Sequence, residues 1–366
     1  MDVQSEPSLE RSYAPRDLVV IGASAGGVEV LTKVARDLPA DLQAAVCIVL
    51  HIAPGSPSML AHILARAGRL PCRAARDGDR LRAGVILVAP PDRHLVVEDG
   101  RVRLTVGPRE NGHRPAIDVL FRTAAEALDS RVVGVVLSGT RDDGSAGLAV
   151  IKASGGGTIV QDPDEATYSG MPASAIANVT VDAIVKSDLL ASTIVAMVKG
   201  EDPPPGTSPE APNPDPPAAE DDRSGARPSP VGTQRDRVEG EPVNAVCPDC
   251  GGVLSERLAA GVLQWECRVG HRFSPGTLLD AQADNVESAL WAAVRALDDR
   301  AILLARMAEQ ADRRGQMRSA RRFRRQSEAA EEQAQIVRQA LTGAARTTLR
   351  RVEEDEEDGS GEEGVA

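Results

Sequence analysis

The chain has 366 residues, of which 42% are hydrophobic, so it has enough apolar residues for one large core or two smaller ones, and a wholly disordered protein is excluded. Only 2% of the residues are aromatic, which argues against a nucleic-acid platform built on base stacking. The net charge of −12, with no apolar run long enough for a signal peptide or a membrane span, predicts a cytoplasmic protein with neither nucleic-acid partners nor membrane insertion.

Short aliphatic runs alternate with amphipathic stretches between residues 17 and 199. The runs are typical of parallel strands buried on both faces and cover residues 17–23, 44–52, 84–91, 132–139 and 157–162. The helix-like stretches cover residues 28–38, 56–68, 117–128 and 144–155. This alternation predicts an α/β domain with a mainly parallel sheet flanked by helices, in a Rossmann-like doubly wound arrangement. A hairpin is predicted over residues 94–106.

Composition divides the chain into six segments. Eleven of the 25 prolines lie between residues 203 and 242, and eight acids lie in the last fourteen residues, so neither stretch is expected to fold. The predicted segments are a disordered N-terminus (1–16), the α/β domain (17–199), a proline-rich linker (200–245), a cysteine-rich segment (246–275), a helical hairpin (276–345) and an acidic disordered tail (346–366).

The turn after the first predicted strand contains a serine between glycines. A dinucleotide-binding turn would need glycine at the position of Ser24, because the backbone there contacts a pyrophosphate. The sequence from Gly22 to Gly26 instead matches G-x-S-x-G between a strand and a helix, in which a strained turn exposes a nucleophilic serine.

A nucleophilic serine needs a base, and His51 ends the second predicted strand. The carboxyl ends of parallel strands open onto one edge, so His51 and Ser24 are expected to share it. His94 and His113 lie in loop-like contexts that could also reach this edge, whereas His62 lies within a predicted helix and is expected to be structural.

Two adjacent acids follow the strand that ends near residue 139. Either Asp142 or Asp143 could orient the imidazole of His51. The alternative interpretation is that they cap the helix-like segment beginning at Gly144. The chain order Ser, His, Asp differs from the order in α/β-hydrolases, so a triad of these residues would belong to another fold lineage.

Six ordered blocks resemble the catalytic domain of chemotaxis protein-glutamate methylesterases, and together they span residues 18–198. The blocks are the turn 22–27, His51, the Ala-Pro-x-x-x-His element 89–94, the Arg-Pro-containing segment 114–121, the Asp-Gly-x-x-Gly run 143–147 and the Gly-Met-Pro segment 170–176.

The resemblance implies an activity and assigns roles. Ser24 would be the nucleophile, His51 the general base and Asp143, rather than Asp142, its orienting partner. The implied reaction hydrolyses γ-glutamyl methyl esters on methyl-accepting chemotaxis receptors without a catalytic cofactor, with deamidation of selected glutamines as a second activity. The partners would be those receptors and their cognate methyltransferase. The oxyanion side and site lining would be formed by Ala25, Thr140 and Met171.

Two features depart from the family pattern. Thr140-Arg141 stands where the family commonly has Met-Gly. About sixteen residues precede the first strand, too few for the phosphoacceptor receiver domain of well-known members, so we expect regulation to lie elsewhere. The alternative function is a non-catalytic signalling adaptor that binds the receptor or the methyltransferase.

A cysteine cluster follows the linker. Cys247, Cys250, Cys267 and His271 have the spacing C-x2-C-x16-C-x3-H, which supplies a full tetrahedral ligand set and predicts a structural zinc ribbon. The alternative is a redox-active CxxC pair, but no thioredoxin-like pattern surrounds it. The other two cysteines, Cys47 and Cys72, lie on or beside aliphatic strands and are expected in the core.

Helical periodicity dominates the rest of the chain. It predicts two helices, over residues 286–310 and about 318–341, that form a hairpin. The basic segment 313–325 lies between an acidic tail and a long helix and has a single aromatic residue. It is interpreted as a solvated helix face or a docking surface for acidic receptor segments rather than a nucleic-acid site.

Overall fold

The computed structural model describes residues 16–52, 58–207 and 241–358, which divide into two compact units after Leu279. The first unit holds the α/β domain and the cysteine-rich segment, and the second is helical. The predicted N-terminal segment up to residue 15, most of the predicted linker (208–240) and the last eight residues of the predicted tail (359–366) lie outside the described residues.

Seven strands of the α/β domain form one fully parallel sheet. The domain contains nine strands in chain order: β1 (Leu18–Ala23), β2 (Ala45–Leu50), β3 (Cys72–Ala74), β4 (Ile86–Val88), β5 (His94–Glu98), β6 (Arg101–Thr105), β7 (Val132–Val136), β8 (Gly157–Gln161) and β9 (Ala183–Val185). The sheet order is β3-β4-β2-β1-β7-β8-β9, and β5 and β6 form the predicted hairpin. The predicted parallel α/β architecture is confirmed.

Helices cover both faces of this sheet. They are α1 (Gly27–Asp37), α2 (Leu60–Ala67), α3 (Ile117–Leu128), α4 (Ser145–Ala153), α5 (Gly170–Asn178) and α6 (Leu190–Lys199). Alternate residues of β1 point to opposite faces, so Val19 and Ile21 pack with α1, α2 and α6 while Leu18 and Val20 pack with α3, α4 and α5. The sequence pattern does not delimit β3, β9, α5 or α6, and β3 and β9 are only three residues long.

The strand order places three polar positions at one edge. Strand β1 lies at the centre of the sheet, between β2 and β7, where the order of the strands reverses. Ser24 follows β1, His51 follows β2, and Asp143 lies in the loop after β7. Open α/β sheets bind ligands at such a switch point, beyond the carboxyl ends of their strands.

The cysteine-rich segment forms a four-stranded antiparallel sheet, which we call the ribbon. Its strands are β10 (Pro242–Val246), β11 (Val253–Ala259), β12 (Val262–Cys267) and β13 (Arg272–Phe273). The ribbon packs on the α/β domain, because Val262 joins the core that α3 and α4 form. Strand β10 begins within the segment predicted as linker, and the predicted domain boundaries stay predictions.

An ion-pair cluster joins the ribbon to α3. Glu110 receives two hydrogen bonds from Arg122 of α3, at 2.8 and 3.1 Å, and lies 3.7 Å from the Arg272 guanidinium of β13. Burial alone would raise the pKa of Glu110, but Arg122 and Arg272 outweigh it, so the pKa lies below its usual value. The buried carboxylate is therefore held ionised between the two elements.

Two long helices form the helical unit. They are α7 (Pro275–Arg313), which begins in the first unit, and α8 (Met317–Asp358), which follows a turn at Gly315. The Ser327 hydroxyl donates to the carbonyl of Ala301, and buried alanines line the seam between the helices. Helix α8 includes residues 346–358, which the sequence analysis assigns to the tail. No helix in the described part of the chain is both long and apolar enough to cross a membrane.

Candidate active site

The three residues at the strand ends are joined by two hydrogen bonds. His51 Nδ1 lies 3.2 Å from Ser24 Oγ, and His51 Nε2 lies 2.7 Å from Asp143 Oδ2. An ionised carboxylate only accepts, so Nε2–H donates to Asp143 and the unprotonated Nδ1 accepts from the Ser24 hydroxyl. The side chain of His51 is 5% exposed and that of Asp143 2% exposed, while Ser24 is half-buried.

The turn that presents Ser24 depends on residues without side chains. Gly26 has φ +72°, and a Cβ there would lie 2.7 Å from the side chain of Thr167. A Cβ on Gly139 would lie 2.8 Å from Ser24 Cβ and 2.1 Å from Met171 Sδ. The N–H of Ser24 donates to the carbonyl of Ser138 at 2.9 Å, so the turn after β1 is fastened to the loop after β7.

Asp143 is buried and fully hydrogen-bonded. Its Oδ2 accepts from the N–H of Ile117 at 2.7 Å in addition to His51, and its Oδ1 accepts from the N–H of Asp118 at 3.2 Å and from Asn111 Nδ2 at 2.9 Å. Burial alone would raise the pKa of Asp143, but the hydrogen bond and charge of His51 and the N–H of Ile117 outweigh burial and hold that pKa below its usual range. The carboxylate is thus ionised next to the imidazole.

Asp118 is a second buried carboxyl beside Asp143. It accepts from the N–H groups of Gly144 and Gly147 at 3.1 and 2.6 Å, and from Asn111 Nδ2 at 2.9 Å. Burial first, and then the negative charge of Asp143, raise the pKa of Asp118 well above its ordinary value. The two groups are shifted in opposite directions, so the negative charge resides on the one that faces His51.

A second histidine, His113, stacks on the imidazole of His51. The rings of His113 and His51 are stacked, with centroids 3.6 Å apart and an interplanar angle of 10°. Burial, and then the neighbouring His51, lower the pKa of His113 to about 4. A neutral ring therefore lies against His51 at neutral pH.

Comparisons with known proteins identify the family of the α/β domain. The family model described as CheB methylesterase matches residues 19–194. A relative in Leptospira interrogans, provisionally named protein-glutamate methylesterase/protein-glutamine glutaminase, is 35% identical over 182 residues, which are 50% of this chain and 94% of that protein. The chain belongs to the CheB methylesterase family.

Other family members match over the same region. Protein-glutamate methylesterase/protein-glutamine glutaminase 2 of Anaeromyxobacter dehalogenans is 44% identical over 172 residues, 47% of this chain and 50% of that protein. The crystal structure of the Thermotoga maritima CheB methylesterase catalytic domain is 31% identical, with a TM-score of 0.48, and covers 50% of this chain and 100% of that one. The chain spans about half the length of the first curated relatives, at 50%, 56% and 44%.

The residues predicted for the oxyanion side line the same edge of the CheB methylesterase domain. Within the described residues, the N–H groups of Ala25 and Thr140 donate to no backbone carbonyl. Met171 is fully buried, and its N–H donates to the carbonyl of Gly139 at 2.8 Å, so it supports the loop beside Ser24. Thr140 and Arg141, where the family pattern is broken, are exposed, and Arg141 has φ +67°.

The structure separates the alternatives that the sequence left open. Both ring nitrogens of His94 are engaged with backbone groups: Nε2 donates to the carbonyl of Pro108 at 2.8 Å, and Nδ1 accepts from the N–H of Ala116 at 3.2 Å. His62 is exposed on α2. Asp142 caps a helix, but the helix is α7 and not α4, because its carboxylate accepts from the N–H of Gly276 at 2.9 Å and from the Thr277 hydroxyl.

The predicted metal ligands come together in the ribbon. The three Sγ atoms and one nitrogen of Cys247, Cys250, Cys267 and His271 all lie within 4.8 Å of one another. Cys250 Sγ lies 3.6 Å from Cys267 Sγ, and His271 Nδ1 lies 3.6 Å from the Sγ atoms of Cys247 and Cys267. Ligands on one tetrahedral zinc ion are about 3.5 to 3.8 Å apart, so the cluster has the spacing to hold a metal ion.

The two remaining cysteines lie in or beside the sheet. Cys47 is fully buried in β2, and burial raises the pKa of its thiol to about 12. Cys72 in β3 is partly buried, and burial raises the pKa of its thiol to about 11. Both thiols stay protonated at neutral pH, as expected for core residues.

Sequence reasoning missed Asn111 and Asp118. Asn111 has φ +52° and is followed by glycine, a turn signal that points to a loop but not to a site. Asp118 lies inside the matched segment 114–121 but on a helical pattern, where a carboxyl is ordinarily a solvated surface group. Only the fold brings both residues against Asp143.

Proposed function

We propose that this domain is a protein-glutamate methylesterase whose nucleophile is Ser24. The observation that carries the proposal is the hydrogen-bonded series Ser24 Oγ, His51 and Asp143 at the switch point of a CheB methylesterase domain. The names of the relatives, which include protein-glutamine glutaminase, support a second activity on glutamine side chains of the same substrate.

The geometry gives each residue a step. Ser24 Oγ attacks the ester carbonyl while His51 Nδ1 takes its proton, and Asp143 stabilises the imidazolium that forms. His51 then returns the proton to the departing methoxide, so methanol leaves and an acyl-serine remains. A water molecule, deprotonated by His51, attacks the acyl carbon and releases a glutamate carboxylate and free Ser24.

The N–H groups of Ala25 and Thr140 are proposed to stabilise the oxyanion. Ala25 follows the nucleophile directly, and Thr140 lies in the loop whose Ser138 carbonyl accepts from the Ser24 N–H. Met171 is proposed to line the site from beneath this loop. Because both donors are backbone groups, the Met-Gly to Thr-Arg departure changes the side chains at the entrance and leaves the donors in place.

The substrates are proposed to be methyl-accepting chemotaxis receptors in the cytoplasm, with the cognate receptor methyltransferase as a further partner. The family and the names of the relatives support esters of protein glutamate as the class. Ser24 is half-buried in the turn after β1, so a projecting side chain such as a glutamyl ester, rather than a folded backbone, is the part that reaches it.

The test is mass spectrometry of a methylated receptor incubated with the enzyme. Each hydrolysed ester removes the mass of one CH2 group, and each deamidated glutamine replaces NH2 with OH. Ser24→Ala is expected to lower ester hydrolysis by about three orders of magnitude or more. The control is Ser192→Ala, at an exposed serine of α6. Equal hydrolysis by Ser24→Ala contradicts the proposal, and receptor binding without hydrolysis by the wild type favours the adaptor.

We also propose that the ribbon holds a structural zinc ion on Cys247, Cys250, Cys267 and His271. The close spacing of all four ligand atoms supports one shared ion over a redox pair, which needs only two cysteines. The site lies in the ribbon and has no part in the acyl-transfer steps. Elemental analysis of protein purified without chelator is expected to give one zinc per chain, and Cys267→Ser is expected to lower that ratio.

A further inference from the structure

Asn111 lies between the catalytic aspartate and the ribbon. Its Nδ2 donates to Asp143 Oδ1 and to Asp118 Oδ2, both at 2.9 Å. Its Oδ1 accepts from the N–H of Ser274 at 2.8 Å and from the Ser274 hydroxyl at 2.9 Å. The residue is 1% exposed, and every hydrogen-bonding position of its amide is occupied.

The partners determine which way the amide faces. A backbone N–H can only donate, so the Ser274 N–H requires the amide oxygen on the ribbon side. The NH2 group then faces the two carboxyls, where the Asp143 carboxylate needs donors. The reversed amide would place a carbonyl oxygen against Asp143 and an NH2 group against an N–H, which would leave buried polar groups unpaired and is therefore unfavourable.

The backbone of Asn111 is also built on the ribbon. Its N–H donates to the carbonyl of Arg272 at 2.8 Å, and a turn closes from Glu110 to His113 through two backbone hydrogen bonds at 3.2 and 2.9 Å. This turn carries the His113 ring that stacks on His51. Strand β13 of the ribbon therefore holds the turn that carries Asn111, which contacts Asp143, and His113, which contacts His51.

Asp142 forms a separate contact with the beginning of α7, directly after the ribbon. Asp142, adjacent to Asp143, accepts hydrogen bonds from Gly276, at 2.9 Å, and Thr277 at the beginning of α7. A Cβ on Gly276 would lie 2.9 Å from Asp142 Oδ2, so the fit is close. Ser274 is therefore held on its C-terminal side by the α/β domain as well as on its N-terminal side by β13.

We propose that Ser274 is a positioning residue for catalysis: through Asn111 it fixes the Asp143 carboxylate against His51, which makes the ribbon part of the active site. The inference deepens the proposed function and rests on it for its kinetic readout. Its physical basis is that Asp143 lies beside a second buried carboxyl, so a donor between the two is needed to keep Asp143 Oδ2 directed at the imidazole.

The test compares Ser274→Ala and Asn111→Ala with a matched control in the ribbon. Ser274→Ala removes the hydroxyl but keeps the N–H, so we expect kcat on the methyl ester to fall about three- to tenfold. Asn111→Ala removes both donors to the carboxyls, and we expect a fall of about a hundredfold or more. KM is expected to change less than about twofold in both. Ser255→Ala, at a buried ribbon serine away from Asn111, is expected to behave as wild type.

A second readout needs no substrate. The proton on His51 Nε2 is shared with a carboxylate and should give a far-downfield NMR resonance, identified by its absence in His51→Gln. We expect it to shift in Ser274→Ala and to vanish in Asn111→Ala, with zinc content and folded fraction as in wild type. An unchanged resonance in folded Asn111→Ala, or unchanged kcat in both variants, overturns the proposal. A wild type that hydrolyses no ester but loses the resonance in Asn111→Ala contradicts the methylesterase function alone.

Discussion

At the residue scale, the imidazole of His51 connects Ser24 to Asp143: one ring nitrogen accepts a hydrogen bond from Ser24, and the other donates to Asp143. His51 presents an unprotonated nitrogen to Ser24 because its other nitrogen is committed to Asp143. The pKa of Asp143 stays below its usual range although the carboxyl is buried, since the hydrogen bond and charge of His51 and the N–H of Ile117 oppose the effect of burial. The stacked His113 adds a ring surface without adding a charge at neutral pH.

The lowered pKa of His113 has a consequence for acid stability. Its pKa is about 4 in the folded chain against an ordinary value of 6.5, so between these values the unfolded chain binds more protons. Stability therefore falls as the pH is lowered through this window, by at most on the order of 3 kcal/mol from this one group. His113→Phe keeps a ring and cannot titrate, so its stability is expected to fall less.

The measurement is the free energy of unfolding from denaturant titrations at pH 7 and pH 5. The control is His62→Gln, because His62 is exposed on α2 and contributes no buried ring. The control is expected to lose as much stability as the wild type. If His113→Phe also loses as much as the wild type, the burial of a neutral His113 is contradicted.

At the element scale, close packing between β1 and α3 places the N–H of Ile117 within hydrogen-bond distance of Asp143. A Cβ on Gly22 would lie 2.3 Å from Ile117 Cγ2, and the N–H of the same Ile117 donates to Asp143. The missing side chain therefore lets the beginning of α3 approach the sheet closely enough to complete the site.

Gly22→Ala is expected to push α3 away from β1. The overpacking should cost roughly 1 to 3 kcal/mol of stability, and ester hydrolysis should fall further than the loss of folded protein explains, because the Ile117 N–H moves from Asp143. The matched control is Gly107→Ala, where an added Cβ makes only ordinary contacts, the nearest at 3.8 Å. Full activity in Gly22→Ala would show that the approach of α3 is not required.

The sequence predicted these elements where the signal is local. Helix α3 covers residues 117–128 as predicted, and the hairpin turns at Asp99 and Gly100, both with positive φ. Because the carboxyl ends of parallel strands share one edge, Ser24 and His51 were expected to lie together. The family resemblance favoured Asp143 over Asp142 as the partner of His51. Asn111 could not be predicted, because its partners Asp118, Asp143 and Ser274 are 7, 32 and 163 positions away. The contacts with Asp118 and Asp143 are created by the folding of the α/β domain, and the contact with Ser274 by the packing of the ribbon on it.

At the scale of the whole molecule, the ribbon and the α/β domain behave as one unit in the described residues up to Leu279. Glu110 binds arginines of both parts, Asn111 binds both through its amide, and Val262 of the ribbon enters the core of the α/β domain. The cysteine-rich segment, which follows a proline-rich linker in the sequence, is therefore connected to Asp143 through Asn111.

Removal of the proposed metal ion is expected to destabilise residues beyond its four ligands. A ribbon that loses its ion loses much of its folding free energy, so chelation should speed backbone hydrogen exchange in β10 to β13. The turn 110–113 should follow, since the N–H of Asn111 donates to Arg272. Helix α6 packs on the opposite face of the sheet and serves as the control. Faster exchange confined to the ribbon would contradict the coupling.

In the proposed reaction, Ser24 attacks the acyl carbon of a protein glutamate methyl ester. The most direct test is hydrolysis of a methylated receptor in water enriched in heavy oxygen, followed by mass analysis of both products. Acyl transfer through Ser24 predicts heavy oxygen in the glutamate carboxylate, unlabelled methanol, and neither product above background with Ser24→Ala. Heavy oxygen in the methanol, or labelled carboxylate formed equally fast by Ser24→Ala, would rule out acyl transfer through Ser24.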